Sequence, residues 1–211
     1  MIPAMDALER LRQGNARFAS GRRKRDMPGG AGKRDGLVEG QAPFAVILGC
    51  SDSRVPVEII FDQDLGDLFV IRVAGNIVAP SQVGSVEFAA ERFGTRLVVV
   101  LGHSSCGAIE ATLEELRRPT GSQSRNLRAI VDRIRPAVEE LMAPELGANP
   151  LTLARHAVRA NVRASANHLR RGSELLEQLM QTDGLLVVGA EYSLETGVVD
   201  FFDMGPSIDP D

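Results

Sequence analysis

Two short segments hold the residues of this chain whose types and spacing suit metal chemistry. Cys50-Ser51-Asp52-Ser53-Arg54 follows the apolar run Phe44 to Leu48, and His103-Ser104-Ser105-Cys106 follows the apolar run Leu97 to Leu101. Two cysteines and a histidine supply three ligands of the kind that hold Zn2+. Three protein ligands leave one position for water or substrate, whereas a structural site closes all four with Cys or His, so the set points to a catalytic zinc. A lone cysteine after a strand is more often a small buried hydrophobe. Here a ligand recurs at the end of two strand-like runs, and Gly49, Gly102 and Gly107 permit close backbone approach beside it. His156 and His168 stand in an Arg-rich helical segment without partner cysteines and read as surface or packing residues.

Asp52 and Arg54 alternate with the first ligand. An exposed ion pair of this kind contributes little to stability. Beside a metal it can do more. Two thiolates neutralise the formal charge of a zinc ion, so water bound there is less acidified than at a site of three neutral histidines and gains from a hydrogen-bond acceptor. A carboxylate fills that role if a bidentate arginine keeps it ionised and turned away from the metal. Paired, Asp52 leaves the fourth position to water; unpaired, it becomes the fourth ligand and closes the site.

These segments need elements to position them. At 211 residues the chain is long enough for one sizeable α/β domain. A net charge of -4 with both signs interspersed argues against a nucleic-acid or membrane-surface protein. No apolar stretch approaches the roughly twenty residues that span a bilayer. Met1 to Arg12 lacks the apolar centre and small-residue cleavage site of a secretory signal, so the expected location is cytoplasmic. Both cysteines fall in the two segments, which leaves no disulfide framework.

Ala4, Leu8, Leu11 and Phe18 recur at helical spacing, which predicts a helix whose apolar stripe needs another surface to cover it. Residues 21–40 are rich in Gly, Lys and Arg and read as a solvated connection; no aromatic residues interleave the basic run for stacking on bases. The expected division is a helical arm with its basic loop over residues 1–40 and a single α/β domain over 41–211. Strand-length apolar runs follow at Phe44 to Gly49, Leu68 to Val73, Leu97 to Leu101, Leu185 to Val188 and Val198 to Phe202. Continuous apolarity marks strands covered on both faces, the habit of parallel sheets. Helices are predicted at Ser81 to Phe93, Cys106 to Arg117, Leu127 to Met142 with a bend near Pro136, Thr152 to Arg171, and Ser173 to Gln181 with Ser173 as its cap. A tight turn at Tyr192 to Gly197 predicts an antiparallel edge strand last. In such sheets ligands bind beyond the carboxyl ends of the strands, where Cys50 and His103 stand; if their strands are neighbours, Cys106 joins them from the first turn of the next helix.

Cys50-x-Asp52-x-Arg54 with His103-x-x-Cys106-Gly107 resembles the β-class carbonic anhydrases, and Leu11 to Phe18, Asp64 to Asn76 and Ala190 to Gly197 extend the likeness along most of the chain. The resemblance implies four parallel strands with a fifth antiparallel, an N-terminal helical arm that embraces a partner, and a dimer or multiple of dimers. It implies Cys50, His103 and Cys106 as zinc ligands, Asp52 and Arg54 as the gating dyad, and attack of zinc-bound hydroxide on CO2 to give bicarbonate. Gln41, Phe69 and Gly107 match positions of the substrate pocket, and Phe88 stands where plant-type members carry a tyrosine, so one hydroxyl donor is missing. Members inhibited by bicarbonate at a second site carry a tryptophan three residues before the first ligand. Here that residue is Ile47, and although Arg72 and Tyr192 match the rest of that pocket, no inhibitory site is expected. Three alternatives stay open: hydrolysis of carbon disulfide or carbonyl sulfide on the same scaffold, a non-catalytic zinc or bicarbonate binder, and a redox sensor in which Cys50 and Cys106 join when zinc is lost.

Overall fold

The apolar runs pair into one sheet because continuous burial leaves their backbone groups only each other as partners. In the computed structural model, which describes residues 2–24, 37–119, 124–143 and 150–205, these strands are β1 (Ala45–Gly49), β2 (Leu68–Arg72), β3 (Leu97–His103), β4 (Leu186–Tyr192) and β5 (Val199–Asp203). Their order is β2-β1-β3-β4-β5. The first four run parallel and β5 is antiparallel to β4. Among the described residues the helices are α1 (Ala4–Ala19), α2 (Val57–Ile60), α3 (Pro80–Arg92), α4 (Gly107–Arg117), α5 (Arg125–Val138), α6 (Pro150–Arg171) and α7 (Glu174–Thr182). Among the described residues no helix is long and apolar enough to cross a membrane.

Strand alternation sorts the side chains between two layers. Ile47, Val99, Leu101 and Val188 meet Leu8 and Leu11 of α1 and Ile60 of α2 on one face. Val46, Leu48, Val98 and Val100 meet Val86 and Ala89 of α3 and Val162, Ala166 and Leu169 of α6 on the other. The predicted two-sided burial is complete in β1 and β3. Glycine sets the approach of α6: a Cβ at Gly102 would lie 2.6 Å from a Val162 methyl, so the helix sits against the sheet where β3 leads into His103.

Two strands run further than apolarity alone marks. β3 continues through Gly102 and His103, which pair with Glu191 and Tyr192 of a longer β4. Glu191 is tolerated there because Arg159 of α6 meets its carboxylate at 2.7 Å. Pro136, where a break or bend is expected from the sequence, lies inside α5, which runs on to Val138 before a 3-10 turn over Glu139–Met142. Ser173 caps α7, accepting from the Leu176 N–H. Four-residue α2 and the 3-10 turn Ala74–Asn76 are too short to show periodicity and were not predicted. Most of the basic connection, including Arg25, Lys33 and Arg34, lies outside the described residues.

The apolar stripe of α1 is covered by the chain's own sheet, with Ala7, Leu8 and Leu11 fully buried. Close approach is possible at Gly14, where a Cβ would sit 1.8 Å from the Phe61 carbonyl oxygen. Asn15 then fastens the helix: its amide donates to the carbonyls of Ile60 (3.3 Å) and Gly197 (2.9 Å), and its oxygen accepts from the Val199 N–H at 2.8 Å. Asn15→Ala leaves those groups buried and unpaired, and is expected to lower unfolding free energy by about 3 kcal/mol, read by urea denaturation.

Candidate metal centre

β1 and β3 are adjacent, with Gly49 opposite Leu101. Cys50, one residue past β1, and His103, the last residue of β3, therefore emerge side by side at the carboxyl edge. The chain then turns at Ser105, which adopts a left-handed φ of 53°. Cys106 follows in extended conformation as the N-cap of α4. The three potential ligand atoms lie within 4.8 Å of one another. All three residues are buried, His103 completely. Behind them Ile77, Ile109, Leu113 and Ile134 form an apolar wall.

The electrostatics favour negative charge on sulfur. A hydrogen bond from the Cys106 thiol lowers the pKa of Cys50 against its burial, with further help from His103 and the Gly75 N–H, which points at Cys50 Sγ from 3.3 Å. The same contact with Cys50, together with burial, pushes the Cys106 thiol up, opposed by the N–H groups of Ile109 and Ala108 at the start of α4. The two sulfurs behave as a pair that gives up one proton easily and holds the second. His103 places Nδ1 2.9 Å from the Ser104 carbonyl, which assigns the ring proton to Nδ1 and leaves Nε2 as the free electron pair. Burial works to lower its pKa, but Cys50, the Ser104 carbonyl and Asp52 raise it overall. Nε2 itself is buried with no hydrogen-bond partner. A buried acceptor without a donor, facing two sulfurs that share one proton, is a set that a divalent cation satisfies in one step: it takes the orphan nitrogen and displaces the shared proton.

Asp52 and Arg54 form the fork that the sequence anticipates. Oδ1 accepts from both the backbone N–H and Nε of Arg54 at 2.9 Å, and Oδ2 accepts from its terminal nitrogen at 2.7 Å. The guanidinium holds the Asp52 carboxyl well below the usual carboxylate range, against a smaller opposing effect of burial. The same arginine donates to the Ser105 carbonyl at 3.1 Å, tying the fork to the turn before Cys106. Asp52 Oδ2 stands 3.9 Å from His103 Nε2, at the rim of the cluster.

The expected pocket residues are placed differently. Phe69 is paired with Val46, four residues before Cys50, or about 13 Å back along the strand. It packs against Phe88 and Phe93 at ring separations of 6.2 and 6.0 Å, and Phe88 is 52% exposed. Gln41 is exposed before β1. Within one chain these three do not reach the cluster, whereas Gly107 opens α4 beside Cys106 with open space over its α-carbon. A groove of about 700 Å3 between α3, α5 and α6 is lined by none of the three ligand residues. His156 and His168 are exposed on α6.

Residues that sequence reading did not single out complete the surroundings. Gly75, at φ 69°, brings its N–H to Cys50; the Gly75-Asn76 pair after a strand run is the turn signal that marks it. Ser104 is anchored to the end of β4, its N–H on the Tyr192 carbonyl and its hydroxyl accepting from the Leu194 N–H, so the carbonyl that orients His103 is itself fixed.

A sequence profile described as carbonic anhydrase matches residues 45–199. Carbonic anhydrase 2 of Mycobacterium tuberculosis (strain CDC 1551 / Oshkosh) is 37% identical over 191 residues, covering 90% of this chain and 89% of that protein. The carbonic anhydrase of Mycolicibacterium smegmatis is 36% identical over 197 residues, covering 92% and 91%. Among solved structures, a tetrameric β-carbonic anhydrase from Sordaria macrospora superposes with a TM-score of 0.74 at 24% identity, over 96% of this chain and 100% of that one. Profile, relatives and sheet topology agree, and the chain belongs to the carbonic anhydrase family, in its metal-dependent β class.

Proposed function

We propose that this chain catalyses the reversible hydration of CO2 to bicarbonate and a proton, with a zinc ion held by Cys50, His103 and Cys106. The observation that carries this reading is the buried, unpartnered Nε2 of His103 facing two sulfurs, with the Asp52–Arg54 fork at the rim. A zinc ion held there supplies Lewis-acid chemistry that makes hydroxide available near neutral pH. The chain's own groups do the rest. Cys50 and Cys106 deliver thiolates, aided by the Gly75 N–H and the start of α4. His103 keeps its proton on Nδ1, against the Ser104 carbonyl, so that Nε2 stays free. Asp52 accepts a hydrogen bond from the attacking water and orients its lone pair toward an uncharged substrate. Arg54 holds that carboxylate ionised and away from the ligand cluster, leaving room for the water.

Gln41, Phe69 and Phe88 can serve this site only from another copy of the chain, since they lie away from the cluster in their own; exposure of the Phe88 ring agrees with such a use. A homo-oligomer built on a dimer follows. Ile47 is fully buried in the sheet, and the Arg72 guanidinium is spent on the carbonyls of Cys50 and Asp52, so no second, inhibitory bicarbonate pocket is proposed.

Stopped-flow CO2 hydration at about pH 8 to 9, with zinc determined on the same sample, is expected to show turnover that disappears with chelation. Stoichiometric zinc without hydration would turn the reading toward carbon disulfide, carbonyl sulfide or a binding role. Cys106→Ala is expected to lose stoichiometric zinc; full zinc content in that variant would overturn the ligand assignment. Asp52→Asn should keep zinc and lower kcat by about 10- to 100-fold. Because Arg54 depresses the Asp52 pKa, the pair's contribution to stability is present above the ordinary carboxyl range and lost only as pH falls through the lowered value. Activity is expected to rise with pH where Asp52 takes the fourth position at low pH; a flat rate profile through the neutral range would remove the gate. Bicarbonate dehydration should follow a hyperbola; a sigmoidal curve would place an inhibitory site on this chain.

A further inference from the structure

Arg72 is the last residue of β2, an edge strand, and its side chain crosses to the loop that carries the first ligand. Nε donates to the Cys50 carbonyl at 3.1 Å and a terminal nitrogen donates to the Asp52 carbonyl at 2.6 Å. The Asp52 carbonyl also accepts from the Val55 N–H at 3.1 Å, closing the turn. One planar guanidinium thus fixes the peptide plane before Ser51 and the one after Asp52, and with the latter the direction in which the Asp52 side chain leaves the backbone. That direction puts Oδ1 and Oδ2 on Arg54 rather than on the ligand cluster, although Oδ2 is only 3.9 Å from His103 Nε2. Nothing between Cys50 and Asp52 is helical or paired in the sheet, so these two carbonyl contacts are a main restraint on the loop.

We propose that Arg72 is a positioning residue: through the carbonyls of Cys50 and Asp52 it holds Asp52 in its pairing with Arg54, and so sets how often the metal site stands open. The proposal rests on the metal site and carboxylate gate proposed above. It adds a control point that touches neither metal nor substrate. Without Arg72 the loop gains rotational freedom, Asp52 exchanges Arg54 for the metal more often, and an external ligand must displace it.

The test reads site occupancy rather than turnover. Cobalt(II) is loaded in place of zinc, and azide is titrated against the visible absorption bands of wild type, Arg72→Met, Arg72→Lys, Asp52→Asn and the Arg72→Met/Asp52→Asn double variant. Arg72→Met is expected to bind stoichiometric cobalt yet show azide affinity weakened by about tenfold, the shift that follows when a largely open site becomes largely closed. Arg72→Lys, whose ammonium spans one carbonyl, should fall between, and carries the comparison if Arg72→Met does not fold. The double variant should match Asp52→Asn alone, because no carboxylate remains to close the site. Azide affinity in folded Arg72→Met or Arg72→Lys equal to wild type would overturn the proposal. So would a loss that persists undiminished in the Asp52→Asn background, which would mark Arg72 as structural only. Wild-type protein that takes up no cobalt would instead sink the metal reading beneath it.

Discussion

The parallel register of β1 and β3 is the constraint on which the site depends. Two parallel strands end on the same side of a sheet, and a register that sets Gly49 against Leu101 brings the residues just beyond them into one small volume. Cys50 and His103 are separated by more than fifty positions in the chain, yet need no further loop to meet. Cys106 then requires only a tight turn, which Ser105 makes at positive φ before α4 begins. An antiparallel pairing of the same two runs would have sent the ligands to opposite edges.

Convergence has an electrostatic consequence. Two thiols and an imidazole buried within 4.8 Å of one another cannot all keep their solution protonation states. The pair of sulfurs retains one proton, and the histidine nitrogen facing them is left without a donor. Surrounding N–H groups from Gly75 and from the first turn of α4 lean the balance toward thiolate. The cluster is thus frustrated as bare protein and satisfied by a cation. Asp52 sits at the same rim, its carboxylate held ionised and turned toward the Arg54 guanidinium.

The fold supplies rigidity where the site needs it. Both faces of β1 and β3 are packed, so the strand ends are held from two sides. Gly102 lets α6 press against β3 next to His103, and the Ser104 hydroxyl and backbone couple that end of β3 to β4. The ligand loop is held from the other side by Arg72 on β2. Neighbouring strands on either side of the β1–β3 pair thus each contribute contacts that aim a site residue.

Much of this was legible in the amino-acid order, because it depends on local chemistry. Apolar runs of strand length, the Ser173 cap, the Tyr192 to Gly197 turn and the alternation of ligand and carboxylate at Cys50 and Asp52 are short-range signals, and the family resemblance adds the zinc reading to them. Element ends were less legible: β4 hides a charged Glu191 whose partner Arg159 is thirty-two residues away, and α2 is shorter than one helical repeat can reveal. Residue types and spacing by themselves determined which side chains can bind metal and that a sheet would present them. Only the tertiary structure decided that Nε2 of His103 is left without a partner, that Phe69 and Phe88 lie away from the cluster in their own chain, and that Arg72 clamps the ligand loop. Each of those outcomes is set by strand register and by contacts between segments far apart in sequence, where no periodicity or spacing rule reaches.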